Sequence, residues 1–431
     1  MLQRATLGRS WCRIVSTMII TFLALGSTGD ILPYATLARA LQDAGYRPVF
    51  VTSEDYRPLL DRLGVPGRFI PGDAQAAIAG AGADARRLML AFAELSRALP
   101  SILDPSAAWL KDSRAVVNQL PIGLYGFDLA QRLAIPHIQA AVIPLTPTAD
   151  FPMMGWPAAL SFLPGYNRWS FRIYQRLTWL AMSRTINRWR AERLKLPRIS
   201  GSAYLARLRR QPLLYGYSPL AVPRPADWPA NIHVTGYWFP EDQAWRPSDA
   251  LVRFLQAGQA PLFIGFGSMP IQDPQSTMKM ILEATAAGGL RAVVHAGWAG
   301  LGQDELPEHL YLLDYAPYSW LFPRVAAVIH HGGSGTTAAG LRAGVPGMIT
   351  PFTFDQGFWG RRVAELGVGL QPIPFRKLTA AKLTEAIVRL TGDEVLKGRA
   401  ADLGQRIQAE DGLTNAIQLL ASYLRSVRKV N

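Results

Sequence analysis

Residues 328–356 read VIHHGGSGTTAAGLRAGVPGMITPFTFDQ. An apolar run ends at Ile329, two histidines follow, and a turn of small residues leads into helical spacing near Gly335 or Thr336. A strand ending in such a turn brings backbone N–H groups close to a ligand. The helix start adds unpaired donors and a partial positive charge. Ser334, Thr336 and Thr337 contribute hydroxyls, and a strand-end histidine can donate to an oxyanion. Together these residues describe a phosphate or diphosphate site. No Gly-Lys-Ser/Thr follows, so this is not a Walker loop.

Working outward, the window sits in a series of strand–helix units that begins near Pro261. APLFIGFGSM, LRAVVHAG, LYLLDYA, AAVIHHGG and VPGMITPF read as short buried strands, and residues 275–288 suit a helix. A first series opens the chain. MIITFLALGSTGDILPYATLARALQDAGYRPVFVT reads strand, glycine turn, helix, strand, a βαβ unit that implies a parallel sheet. LGVPGRFIPG, RAVVNQ and LAIPHIQAAVI follow as further strands, with a helix expected over residues 84–103. A Pro- and Trp-rich stretch, YSPLAVPRPADWPANIHVTGYWFPEDQAWRPSD, separates the halves. The fold class is therefore α/β: two domains with parallel sheets whose strand ends face one cleft.

Composition agrees. The chain has 431 residues, 49% hydrophobic and 18% charged, which suits two folded domains. The net charge of +14 favours anionic partners. No zinc-finger spacing and no aromatic RNP signature occurs, which argues against nucleic acid. Cys12 is the only cysteine, so no internal disulfide forms, and a cytoplasmic location is expected. The arginines and apolar run near the start resemble a signal peptide, but the run continues into GSTGD and no A-x-A site follows. It reads better as a first strand behind a loose extension, and Met18 is a plausible start.

The motifs together resemble nucleotide-sugar-dependent glycosyltransferases of the GT-B fold, nearest the sterol glucosyltransferase and antibiotic glycosyltransferase branch. GSTGDILPYATLARAL carries the likeness in the first half. GFGSM, GWAGL and HHGGSGTTAAGLRAGVP with PFTFDQGFWGRRV carry it in the second. The resemblance covers residues 18–420. It implies an extension at 1–17, an N-terminal acceptor-binding domain at 18–225 and a linker at 226–260. A C-terminal nucleotide-sugar-binding domain at 261–410 and a closing helix at 411–431 follow, the helix returning to the first domain.

The same resemblance assigns roles. His330, Gly333, Ser334, Gly335, Thr336 and Ser268 would hold the donor diphosphate, with His331 beside them. Tyr315 and Ala316 would hold the base, although plant members place Trp at the Tyr315 position. Asp355 and Gln356 would bind the sugar hydroxyls, and Trp298 would line the donor side. Asp30 stands where that branch has an aspartate as general base, and a helix cap is the competing reading. Asp128 is a candidate second acid.

Sugar transfer needs donors aimed at the leaving diphosphate and a base near the acceptor hydroxyl. The expected reaction is inverting transfer of a hexose, by resemblance glucose from UDP-glucose, to an apolar alcohol such as a sterol. A TDP-deoxysugar enzyme acting on a natural-product aglycone is the alternative, and a nucleotide-sugar epimerase a third. No Asp-x-Asp metal motif occurs at a strand end, and no cofactor beyond the co-substrate is expected. The segment 168–195, RWSFRIYQRLTWLAMSRTINRWRAERLK, alternates arginines with an apolar stripe. It reads as a packed surface helix, a lid, or a peripheral dock for anionic membrane.

Overall fold

IITFL forms β1 (Ile19–Leu23), and RPVFVTS forms β2 (Arg47–Ser53) parallel to it. Such runs are apolar throughout because a parallel sheet is covered on both faces. The intervening α1 (Thr28–Asp43) buries Ile31, Tyr34, Leu37 and Leu41 in the core that holds Phe22 and Phe50. The structure, a computed structural model, describes residues 18–71, 103, 107–120, 124–240, 245–267, 269, 271, 273–295 and 306–428. The extension at 1–17, almost all of the helix expected over 84–103, and the site candidates Ser268 and Trp298 lie outside the described residues.

The first sheet continues with β3 (Gly67–Ile70), β4 (Ser113–Gln119), β5 (His137–Ala141), β6 (Leu213–Tyr215) and β7 (Ile232–Val234). Its order is β3-β2-β1-β4-β5-β6-β7. Helices of seven or more residues here are α2 (Arg57–Leu63), α3 (Leu124–Leu133), α4 (Tyr166–Glu192) and α5 (Gly201–Leu208). The second sheet holds β8 (Leu262–Gly265), β9 (Ala292–His295), β10 (Leu310–Leu313), β11 (Ala327–His330) and β12 (Gly347–Ile349) in the order β10-β9-β8-β11-β12. Its longer helices are α6 (Asp249–Gln256), α7 (Pro274–Ala287), α8 (Ser334–Ala343), α9 (Gln356–Glu365), α10 (Ala380–Gly392) and α11 (Glu394–Gln408). The chain closes with α12 (Gly412–Arg428). Every pairing between these strands is parallel.

The stretch expected as a linker, 226–260, contains regular structure. Its residues 232–234 are β7, which takes the edge of the first sheet in register Leu213↔Ile232. Further on, Leu251 of α6 packs with Phe263 and Leu313 in the second domain's core. Each end of the stretch thus belongs to a different domain, because Ile232 and Leu251 bury apolar surface that a free linker would leave in water.

The two sheets share a feature that positions ligands. Strand order reverses between β1 and β4 in the first sheet, and between β8 and β11 in the second. Such reversals open a crevice at the carboxyl ends of the strands. The domains meet through ring contacts, with Phe151 and Phe358 centroids 5.3 Å apart and Tyr217 and Trp359 6.4 Å apart. Arg362 donates from α9 to the Ala221 carbonyl at 2.9 Å. Helix α12 buries Ala416, Leu420 and Leu424 in the core of the first domain.

Candidate functional site

On the first domain, the turn after β1 delivers Asp30. Gly26 has φ +140, and a Cβ there would lie 2.5 Å from Asp30 Oδ2, so only glycine lets the turn close on the carboxylate. Asp30 is the third residue of α1 rather than its N-cap, which is Ser27. The Ser27 N–H and hydroxyl donate to Asp30 Oδ2 at 2.9 and 2.8 Å. Gln119, at the end of β4, donates from Nε2 to Oδ1 at 3.1 Å, while its Oε1 accepts the Leu25 N–H at 2.9 Å. The carboxylate therefore stands at the reversal between β1 and β4, half-buried and held on both oxygens. Burial pushes it above the ordinary carboxylate range, and the Ser27 and Gln119 hydrogen bonds pull against that. Asp30 serves the helix start and faces the cleft at once.

On the second domain, the reversal between β8 and β11 places the glycine window. His330 ends β11 and is buried. Its Nδ1 accepts the Gly332 N–H at 3.0 Å, which assigns the ring proton to Nε2. Burial, with His331 beside it, pulls its pKa down to about 3, so the ring is a neutral N–H donor. His331 turns the other way. Its ring fills the space between Gly267 and Gly333, where a Cβ on either glycine would come within 2.6 Å of it. Burial lowers its pKa to about 4. It locks the loop after β8 against the turn after β11.

Helix α8 begins at Ser334 with Gly333 as N-cap and no side-chain capping bond. Its first N–H groups keep their donor capacity. Ser334 and Thr336 are half-buried, and Gly335 is exposed with open space before it. Thr337 differs from expectation: its hydroxyl donates to the Gly333 carbonyl at 3.0 Å, inside its own helix.

Tyr315 presents a half-exposed ring, and Ala316 beside it is buried. The guanidinium of Arg62, from α2 of the first domain, lies 5.7 Å over the Tyr315 ring. Asp355 stands at the N-cap position of α9 without a capping bond from its side chain. Its Oδ2 instead accepts from Trp359 Nε1 at 3.1 Å. Burial and the charge of Asp30 push its pKa up to about 7. Gln356 is buried, and its Oε1 accepts the Phe352 and Thr353 N–H groups at 2.7 and 3.2 Å. Its Nε2 donates to Met269 Sδ at 3.3 Å. The Gln356 side chain thus ties the 352–356 loop, in which Phe354 holds φ 46, to the loop after β8.

Asp128 is absent from this constellation. It is fully buried in an ion pair with Arg190 that joins α3 to the end of α4. Its role is packing, because a carboxylate enclosed with an arginine has no open side for a substrate.

The site thus joins a hydrogen-bonded carboxylate on one sheet to a cradle of N–H and hydroxyl donors on the other. The family described as erythromycin biosynthesis protein CIII-like, C-terminal domain, matches residues 285–421. A sterol 3-beta-glucosyltransferase of Arabidopsis thaliana is 33% identical over 436 aligned positions, covering 96% of this chain and 67% of that protein. One from Aspergillus fumigatus is 33% identical over 420 positions, covering 93% of this chain, and the chain spans 29% of its length. Among solved structures, the glycosyltransferase of kitacinnamycin superposes with a TM-score of 0.73 at 18% identity, covering 94% of this chain and 99% of that one. The glycosyltransferase VinC in complex with dTDP gives 0.65 at 19% identity, covering 95% of this chain and 100% of that one.

Proposed function

The chain belongs to the glycosyltransferase family that contains the sterol 3-beta-glucosyltransferases, and from that premise we propose that it transfers glucose from UDP-glucose to the hydroxyl of a sterol or similar lipid alcohol. One observation carries the reading. Asp30 stands at the strand-order reversal of the first sheet and the window of His330 and Asp355 at that of the second, and the domains meet there with Arg62 of the first over Tyr315 of the second.

The chemistry follows from these groups. The neutral His330 Nε2–H, the first N–H groups of α8 and the Ser334 and Thr336 hydroxyls receive the donor diphosphate. They are fixed before the reaction, so they stabilise the charge that builds as the nucleoside diphosphate leaves. Tyr315 stacks the base. Asp355, oriented by Trp359, accepts hydrogen bonds from the sugar hydroxyls, and Gln356 shapes the loop that carries it. The acceptor oxygen attacks the anomeric carbon, Asp30 takes its proton, and the carbon–diphosphate bond breaks. Because attack comes from the face opposite the leaving group, configuration inverts and an α-linked donor yields a β-glycoside. The charge on the leaving group is met by N–H donors, so the reading requires no resident metal.

A lipid acceptor brings the protein to a membrane surface, on its cytoplasmic face and without spanning. No helix among the described residues is long and apolar enough to cross a bilayer. The deciding experiment is mass spectrometry of reactions that pair UDP-glucose and TDP-deoxysugars with a panel of sterols and polyketide aglycones. The expected product is a steryl β-glucoside from UDP-glucose that forms equally in the presence of a chelator. A glycosylated polyketide from a TDP-sugar, or conversion of UDP-sugar without acceptor, would overturn the reading.

A further inference from the structure

Six of the ten large apolar side chains exposed among the described residues fall between positions 160 and 180. Phe162 is 76% exposed, Leu180 70%, Trp169 57% and Leu177 56%. Trp169, Leu177 and Leu180 recur on α4 at spacings of eight and three, which places them on one face. Exposed arginines share that face. Arg172, Arg176, Arg184 and Arg188 are all open to solvent. No acidic residue occurs from Phe151 to Ala191, so nothing on the helix before Glu192 balances them. A helix that merely packed on the core would show water a polar face. This one shows water leucine, tryptophan and arginine together, the pattern of a helix seated at a membrane interface.

The opposite side of α4 reaches the cleft. Its Tyr174 ring is 6.5 Å from Phe354, next to Asp355. Its Phe171 ring is 6.3 Å from Phe151, which in turn touches Phe358 of α9. The apolar face and the mouth of the site are thus two sides of one element.

We propose that the face formed by Phe162, Trp169, Leu177 and Leu180, with Arg176 and Arg184, docks the protein onto an anionic lipid bilayer and holds the cleft one helix diameter from its surface. This rests on the reading that the acceptor is a lipid alcohol. The apolar side chains enter the headgroup–acyl boundary, and the arginines extend along them to meet lipid phosphates. Charge argues against a second copy as the occupant. Two such faces would press exposed arginines against arginines with no acid between them.

Flotation of the full-length protein tests the proposal, with vesicles of phosphatidylcholine alone and of phosphatidylcholine mixed with phosphatidylglycerol. The wild type is expected to float with the anionic vesicles and weakly with the neutral ones. Leu177→Glu with Leu180→Glu, and separately Arg176→Glu with Arg184→Glu, should each lower the bound fraction at least about tenfold. UDP-glucose binding should stay intact in both pairs, which shows that they fold. Their turnover should fall on sterol embedded in anionic vesicles and hold on sterol dispersed in detergent. Three results would overturn the proposal: no vesicle binding by the wild type, equal binding by the variants, or a wild-type dimer that the variants dissociate. If the protein docks through these residues yet glycosylates no lipid alcohol, the docking surface stands and the acceptor reading falls.

Discussion

Burial and the Asp30 charge push the Asp355 carboxyl up to about 7, so its ionisation falls near neutral pH. A carboxylate accepts hydrogen bonds from two sugar hydroxyls, whereas a protonated acid loses part of that capacity. Affinity for UDP-glucose should therefore rise as pH climbs through neutrality, a trend that isothermal titration calorimetry across pH can follow. Asp355→Asn should flatten the trend. Asp30→Asn should move its midpoint to lower pH, because the charge that helps to hold the Asp355 proton is gone. An unmoved midpoint would show that the two carboxyl groups do not sense each other. His330 belongs to the same scale: its neutral Nε2–H is the proposed donor to the leaving diphosphate, so His330→Ala should lower kcat about a hundredfold.

Between β1 and α1, the geometry of a single turn decides where Asp30, the proposed proton acceptor, stands. A methyl group at Gly26 would meet Asp30 Oδ2 at 2.5 Å and would also have to tolerate φ +140. Gly26→Ala should leave UDP-glucose binding unchanged and lower kcat about a hundredfold through displacement of Asp30; steady-state kinetics with calorimetry would check both halves. Turns of this kind were legible in the sequence, because a glycine cluster after an apolar run is a local signal. So was the β11–α8 window, where strand, turn and helix start are contiguous. The three-residue β6 and β7 were not read as strands, since an IHV run inside a Pro- and Trp-rich stretch becomes a strand only through its pairing with β6. The supports of the site were hidden for the same reason. Gln119 meets Asp30 from 89 residues away, and Arg62 meets Tyr315 from the other domain. Local spacing pointed to a phosphate-binding window, and the resemblance assigned the proposed roles of its groups. Neither could name the residues packed against those groups, nor show that Asp128 is enclosed with Arg190.

At the scale of the whole molecule, the two domains are tied by α12, whose Leu420 is buried in the core of the first. Leu420→Ala should cost about 2–5 kcal/mol and lower the first unfolding transition in calorimetry, with little effect on UDP-glucose affinity. The tie matters because the proposed reaction belongs to neither domain alone: one supplies the proton acceptor, the other the cradle for the leaving group. The most direct test of that division is Asp30→Asn, assayed well above neutral pH for both UDP-glucose affinity and turnover on the steryl acceptor. The account predicts unchanged affinity and a turnover lowered about a hundredfold or more. Wild-type turnover in that variant, or loss of donor binding along with turnover, would contradict it.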